Sequence, residues 1–363
     1  MDPGTGVADK VSKRSYGIDG SSLGSTETHL PTLLMTSKNP GKGYTSKRLG
    51  LFSRLNEIAS LIAGYRQGPE HRVRRAITEV NAAMAEIATL LGKPVKDLHI
   101  LEIGSGQLPM QLAILGTRNH AIGIDQESAD DSLSVRGVLK TIKTDGPMRA
   151  VKTMARKAMG IDRQSRNEYV RQTGLEAWPP LRHLKMDAEQ MSFQDDSFDV
   201  VFSRAVFEHI ANPEGVLRQV ARVLRPGGVF YCIFHLYTSD SGCHDVRILL
   251  NRRGDLPLWP HLRESHRHKV IENTYLNRLS LQSWRSIFQN ALPGARVDAM
   301  MDDTGADRKA ALAKIRENGE LSDYSDEELM TVTVRATWKK SDPSEASKAK
   351  PGPRQPSEEF ERE

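Results

Sequence analysis

Two glycines, Gly104 and Gly106, follow a short apolar run and precede a helical pattern in HILEIGSGQLPMQLAILG. Glycine suits that place because a strand must turn sharply there, and a ligand can approach a backbone that has no Cβ. Pro109 opens the helical pattern at no hydrogen-bond cost. Asp125 closes the next apolar run, 21 positions after Gly104. A carboxylate so placed can accept from two ribose hydroxyls. A dinucleotide fingerprint would also require glycine at position 109, where the chain has proline. The pattern therefore points to a nucleoside-type ligand at the carboxyl edge of a parallel sheet and away from a diphosphate.

Proton chemistry has its own candidates. The chain has 11 histidines, and six of them (His209, His235, His244, His261, His266 and His268) fall within 209–268. Histidine titrates near neutrality, so it can take a proton from an acceptor hydroxyl. His209 follows the apolar run 198–202, His235 closes the run 229–234, and His244 stands nine residues further on. These three are the candidate catalytic bases. His235, Asp240, Cys243 and His244 include acceptable zinc or iron ligand types, but their spacing matches no defined site. A polar active-site loop with no metal is the expectation there. Arg263, Arg267 and Lys269 suit either an anionic acceptor or a solvated basic loop. Trp259 and Pro260 suit either an apolar wall for the acceptor or the core.

Alternating elements must position these groups. Apolar runs at 98–103, 120–124, 182–186, 198–202 and 229–234 read as strands, separated by helical patterns such as 109–115 and 213–224. Such alternation indicates βαβ units and a largely parallel sheet. A helix near 281–290, a strand near 295–300 and a final strand over 329–338 complete it, the last expected to pair antiparallel near the sheet edge. Upstream, helical stripes run over 50–65 and 71–91, with Gly92 and Pro94 as a stop. Residues 1–45 and 341–363 carry few apolar residues and read as solvated tails. The expected organisation is a flexible segment 1–45, N-terminal helices 46–94, one domain over 95–340, and a tail 341–363.

The interval 127–180 is longer than a βα crossover needs. Residues 131–180 hold ten Lys or Arg against five acids, a local excess equal to the +5 of all 363 residues. A helical, cap-like insertion over 128–180 is expected, either as a solvated surface element or as a cover that receives a polar or anionic acceptor. Across the whole chain the charge balance neither demands nucleic acid nor excludes an anionic small molecule. With 6% aromatic residues and no stacking platform, nucleic acid is disfavoured as a partner. Two cysteines, Cys232 and Cys243, exclude a disulfide scaffold. No secretory signal or membrane span is legible, so a cytoplasmic location is expected. The oligomeric state is not readable.

Taken together, LEIGSGQLP, GID, KMDAEQMSFQDDSFDVVFSRAVFEHI and VARVLRPGGVFYCIFH resemble the successive motifs of the class I S-adenosylmethionine-dependent methyltransferases, nearest the branch that modifies small molecules, sugars and lipids. The resemblance covers about 95–127 and 181–340. It implies an α/β, Rossmann-like fold with a seven-stranded, mostly parallel sheet and helices on both faces. It implies S-adenosyl-L-methionine as cofactor, with Glu102 and the Gly104–Ser105–Gly106 backbone facing its methionine part and Asp125 holding the ribose. Asp187 would accept from the adenine amine, with a turn or helix cap as its structural alternative, and Ala188 would offer its N–H to the ring. Ser203 and Arg204 would lie beneath the methionine end. Leu108 stands where many members have a third glycine, and the insertion has no family template. Arg225, in the turn entering the fifth strand, is expected to be structural. The implied activity is methyl transfer to a hydroxyl of a small polar acceptor, with sugars and glycan ends as candidates. An N- or C-methyltransferase and a non-catalytic cofactor-binding scaffold are the alternatives.

Overall fold

The computed structural model describes residues 68–126, 160–272, 274–301 and 305–344. The expected segment 1–45, the helix over 50–65, most of the insertion 128–180 and most of the tail 341–363 lie outside them.

Apolar runs without strict alternation form the central strands, because both faces of a parallel sheet are covered. The strands are β1 (His99–Ile103), β2 (His120–Asp125), β3 (Arg182–Lys185), β4 (Phe198–Arg204), β5 (Leu224–His235), β6 (Arg296–Met301) and β7 (Thr331–Lys339). Among the described residues they form one seven-stranded sheet in the order β3-β2-β1-β4-β5-β7-β6. Strands β1 to β5 pair in parallel, and β7 runs antiparallel between β5 and β6. The final strand is thus one place in from the edge, and β6 takes the edge.

The longer helices are α1 (Pro69–Leu91), α2 (Met110–Gly116), α3 (Ile161–Thr173), α4 (Pro213–Val223), α5 (Leu281–Ala291), α6 (Gly305–Glu317) and α7 (Asp326–Met330). On one face, Val73, Val80 and Ile87 of α1, Ala113 to Leu115 of α2 and Tyr169 of α3 cover Ile100, Phe202 and Tyr231. On the other, Val216 and Val220 of α4 and Trp284 and Phe288 of α5 cover Leu101, Val201 and Phe230. Full burial of each such side chain is worth about 1.5–3 kcal/mol. In the described part of the insertion, 161–173 is helical and 174–180 is turn and coil, and Tyr169 fastens α3 to α2 through its hydroxyl, 2.7 Å from Thr117 Oγ1.

The far end of the sheet is tied by side chains. Lys340 donates to Asp196 Oδ1 at 2.7 Å and to the carbonyls of Ala221 and Leu224 at 2.8 and 2.7 Å. Arg225 pairs with Asp199 at 2.8 Å, a structural part, and it lies within the first residues of β5 and not in a turn before it. The strand order reverses between β1 and β4, which opens a crevice at their carboxyl ends. Open α/β sheets bind ligands in such a crevice.

Candidate active site

The glycine turn is held by its own N–H groups, one bonded to backbone and one to a carboxylate. Gly104 N–H donates to Ile124 O at 2.8 Å, and Gly106 N–H donates to Asp125 Oδ2 at 2.9 Å. Both glycines have left-handed backbone, φ +79° and +67°. At Gly104 a Cβ would also collide with the Val206 side chain. The turn therefore packs directly on the residue that leads out of β4. Gly123 matters in the same way: a Cβ there would stand 2.6 Å from Ser105 Oγ, so its absence lets Ser105 lie on β2.

Two buried polar groups at this turn are left without partners. Glu102 is 1% exposed, and among the described residues neither its Oε2 nor the Ser105 Oγ has a hydrogen-bond partner. Burial, with Asp125 as a second cause, pushes the Glu102 carboxyl up to about 8. Unpartnered buried groups of this kind are destabilising unless a ligand supplies the missing bond.

The other expected cofactor residues take several positions. Asp187 is exposed, and its Oδ1 accepts from Glu189 N–H at 2.9 Å, so it stabilises the turn after β3. Ala188 follows it, half-buried against the core. Ser203 is fully buried and donates to Ile103 O at 3.1 Å, joining β4 to β1. Arg204 pairs with Glu79 of α1 at 2.6 Å.

Beyond β4 the backbone reverses at Ala205, φ +55°, and enters a 3-10 turn over Phe207–His209. That turn lays Glu208 and His209 along the carboxyl ends of β4 and β5. His209 Nδ1 lies 2.8 Å from Tyr275 O. A carbonyl only accepts, so Nδ1 carries the proton, and in the neutral ring Nε2 is the basic nitrogen. The His209 ring is 5.0 Å from that of His244, and His235 Nδ1 is 3.4 Å from His244 Nε2. All three candidate bases thus meet. Burial, reinforced by the neighbouring positive groups, drives His235 down to about 4 and His244 to about 3, so both are neutral at pH 7.

Glu208 completes the group and was not singled out from the sequence. It is 2% exposed, and burial raises its carboxyl to about 7. Its place beside His209 after β4 was the available signal. Asp240 and Cys243 do not join the cluster: Asp240 accepts from Trp259 N–H at 2.7 Å and pairs with Arg253, and Cys243 is buried in a small apolar group. Trp259 is core, packed with Leu312 and Ile315. Arg263 is taken by Glu320 at 2.7 Å, and Arg267 donates to His261 O at 3.2 Å.

Fold and crevice define an α/β protein of Rossmann-like architecture with a turn suited to a nucleoside. The Methyltransferase domain family matches residues 144–232. The chain is 37% identical over 75 residues to the sterol 24-C-methyltransferase erg-4 of Neurospora crassa, covering 19% of this chain and 20% of that protein. It is 32% identical over 101 residues to the uncharacterized methyltransferase YcgJ of Bacillus subtilis, covering 28% and 33%. With the ubiquinone biosynthesis O-methyltransferase of Maricaulis maris the identity is 48% over 55 residues, covering 15% and 22%. The alignments thus span at most about a third of these relatives' length. The crystal structure of YcgJ aligns over 68% of this chain and 93% of that one at 17% identity, with a TM-score of 0.32, too loose a likeness to add to the strand order. Over these segments the chain is similar to S-adenosylmethionine-dependent methyltransferases of class I.

Proposed function

We propose that this protein transfers a methyl group from S-adenosylmethionine to a hydroxyl oxygen of a small polar acceptor, with sugars as the first class to try. The residues present fit the cofactor. Glu102 would partner its ammonium with the unsatisfied carboxylate oxygen, the Gly104–Gly106 turn would let it approach the backbone, and Asp125 would receive the ribose. Asp187 and Ala188, after β3, would take the adenine end. When bound, the cofactor supplies a methyl group activated on a sulfonium, whose carbon–sulfur electron pair stays on sulfur.

The observation that carries the hydroxyl reading is the meeting of His209, His235 and His244 beside the glycine turn, with the His209 tautomer fixed by Tyr275 O. As the carbon–oxygen bond forms, the acceptor hydroxyl's proton passes to His209 Nε2. Neutral His235 and His244 would line the place of the acceptor and fix where its oxygen sits, a contribution of orientation.

The test uses labelled S-adenosylmethionine with a panel of hydroxylated, amine and sterol acceptors, and mass spectrometry of the product. His209→Ala should lower kcat at least a hundredfold with cofactor affinity unchanged. Asp125→Ala should weaken cofactor binding at least tenfold in calorimetry. An N- or C-methylated product, or a His209→Ala enzyme with normal turnover across pH, would replace the hydroxyl reading.

A further inference from the structure

Glu208, His235 and His244 come from three separate parts of the chain: the 3-10 turn, the end of β5 and the turn that follows it. Each offers one ligand atom, and these atoms lie within 4.8 Å of one another. From this geometry we infer that the trio binds a divalent first-row transition metal of the zinc or iron(II) kind, beside the place where the acceptor sits.

Spacing is the first support. His235 Nδ1 and His244 Nε2 are 3.4 Å apart. Two nitrogens bound tetrahedrally at roughly 2.0–2.1 Å stand about 3.3 Å from each other, so the pair already has the separation of one edge of a coordination tetrahedron. The Glu208 carboxylate offers an oxygen within 4.8 Å of a ring nitrogen of each histidine.

The second support is an unanswered group. Glu208 Oε1 accepts from His235 N–H at 3.3 Å, which fixes the carboxylate against β5. Its Oε2 is buried and, among the described residues, has no hydrogen-bond partner. A cation is the partner that removes the penalty of an isolated buried carboxylate oxygen.

The backbone adds a third. His244 adopts φ +53°, a left-handed conformation that costs a residue with a Cβ some free energy. The turn behind it closes at Gly242, where a Cβ would strike the carbonyls of Leu236 and Tyr237. Only glycine lets the chain double back this tightly and return His244 to His235. His209, tied to Tyr275 O, stays outside the trio as proton acceptor.

Two imidazoles and one carboxylate leave coordination positions open, which is the arrangement of reactive metal centres and not of closed structural ones. An open position would take the acceptor's hydroxyl oxygen, and a hydroxyl so held gives up its proton to His209 more readily. That last step rests on the hydroxyl reading above; the metal site does not.

The experiment uses the full chain, freed of any tag and treated with chelator, titrated with Co2+ alone and then Zn2+. One equivalent of Co2+ should bind with d–d absorption, and Zn2+ should displace it. Glu208→Gln and His244→Asn should each weaken Co2+ at least tenfold, while His71→Ala, on the exposed side of α1, leaves it unchanged. Asparagine tolerates the left-handed backbone, so His244→Asn keeps the turn, and circular dichroism checks its fold. Absence of saturable Co2+ binding, or binding that ignores both substitutions, overturns the site. Cofactor binding and product formation are measured on the same samples with and without metal. Metal binding without any methylated product would sink the methyl-transfer reading and leave the metal site standing; methyl transfer without metal binding would do the reverse.

Discussion

The glycine turn and the histidine cluster sit side by side on one sheet edge, yet they are built by opposite means. The first is local and made of backbone. Residues 99–125 form β1, the turn, α2 and β2, and the turn is fixed by N–H groups that donate to Ile124 O and Asp125. The second is assembled from distant side chains. Asn277 donates to the carbonyls of Phe207 and Ile210 at 2.8 and 3.1 Å, Tyr275 O holds His209, and Glu328 accepts from Thr238 and from Leu281 N–H at 2.8 and 2.9 Å. A rigid cradle held by N–H groups suits a ligand of one fixed kind. An acceptor varies, and a scaffold of side chains can be rewritten one residue at a time.

That contrast can be broken most severely at its point of contact. Gly104→Ala combines a left-handed backbone penalty of about 1–2 kcal/mol with overpacking against Val206 of about 1–3 kcal/mol. Denaturant unfolding should show a loss of about 3 kcal/mol, and adding Val206→Ala should return the packing part only. Full recovery would mean that conformation at Gly104 is unimportant.

A milder change separates the two regions. Asn277→Ala removes a donor shared by the carbonyls of Phe207 and Ile210, the first of which keeps Ile210 N–H, and should destabilise the protein by about 1–3 kcal/mol. Because the glycine turn does not depend on it, kcat should fall severalfold with cofactor affinity intact. Equal losses in both would show the two regions to be one cooperative unit.

The smallest effect sharpens the turn itself. Glu102 is neutral below about 8 in the folded protein and ionises near its ordinary 4.5 when unfolded. Its favourable contribution is complete below pH 4.5, declines above that, and is gone once the pH passes about 8. Glu102→Gln should flatten the fall of Tm between pH 5 and pH 8, with pH limits set by those two values. Cofactor binding to the wild type should tighten as the pH rises toward 8, since a cation favours the ionised carboxylate, and the glutamine variant should lose that slope.

Much of the frame was legible because apolar runs without alternation mark covered parallel strands, and every expected strand is present within two residues at nearly all ends. The shape of the turn was legible for the same local reason: Gly104, Gly106 and Asp125 are close in sequence, and two backbone N–H groups hold it to Ile124 O and Asp125 Oδ2. Helix α6 escaped notice because GADRKAALAKIRE carries only a weak apolar stripe. The start of β7 was misplaced because Ser325 caps a short helix, accepting from Glu328 N–H at 3.1 Å, before the strand begins. Glu208 was passed over although it stands beside His209, because its burial against β5 arises only on folding. Gly242 likewise reads as a plain turn residue, since its need arises from carbonyls brought close by folding.

The antiparallel course of β7 decides where the chain leaves the sheet. Lys339 stands opposite Val229, and the ammonium of Lys340 clasps the entry to β5, so the described polypeptide departs from the rim remote from Gly104 and His235. A fluorophore grafted at Ser344, or a surface tether attached there, would leave the ligand-facing rim open. The protein could therefore be immobilised by that end with its crevice presented to solution.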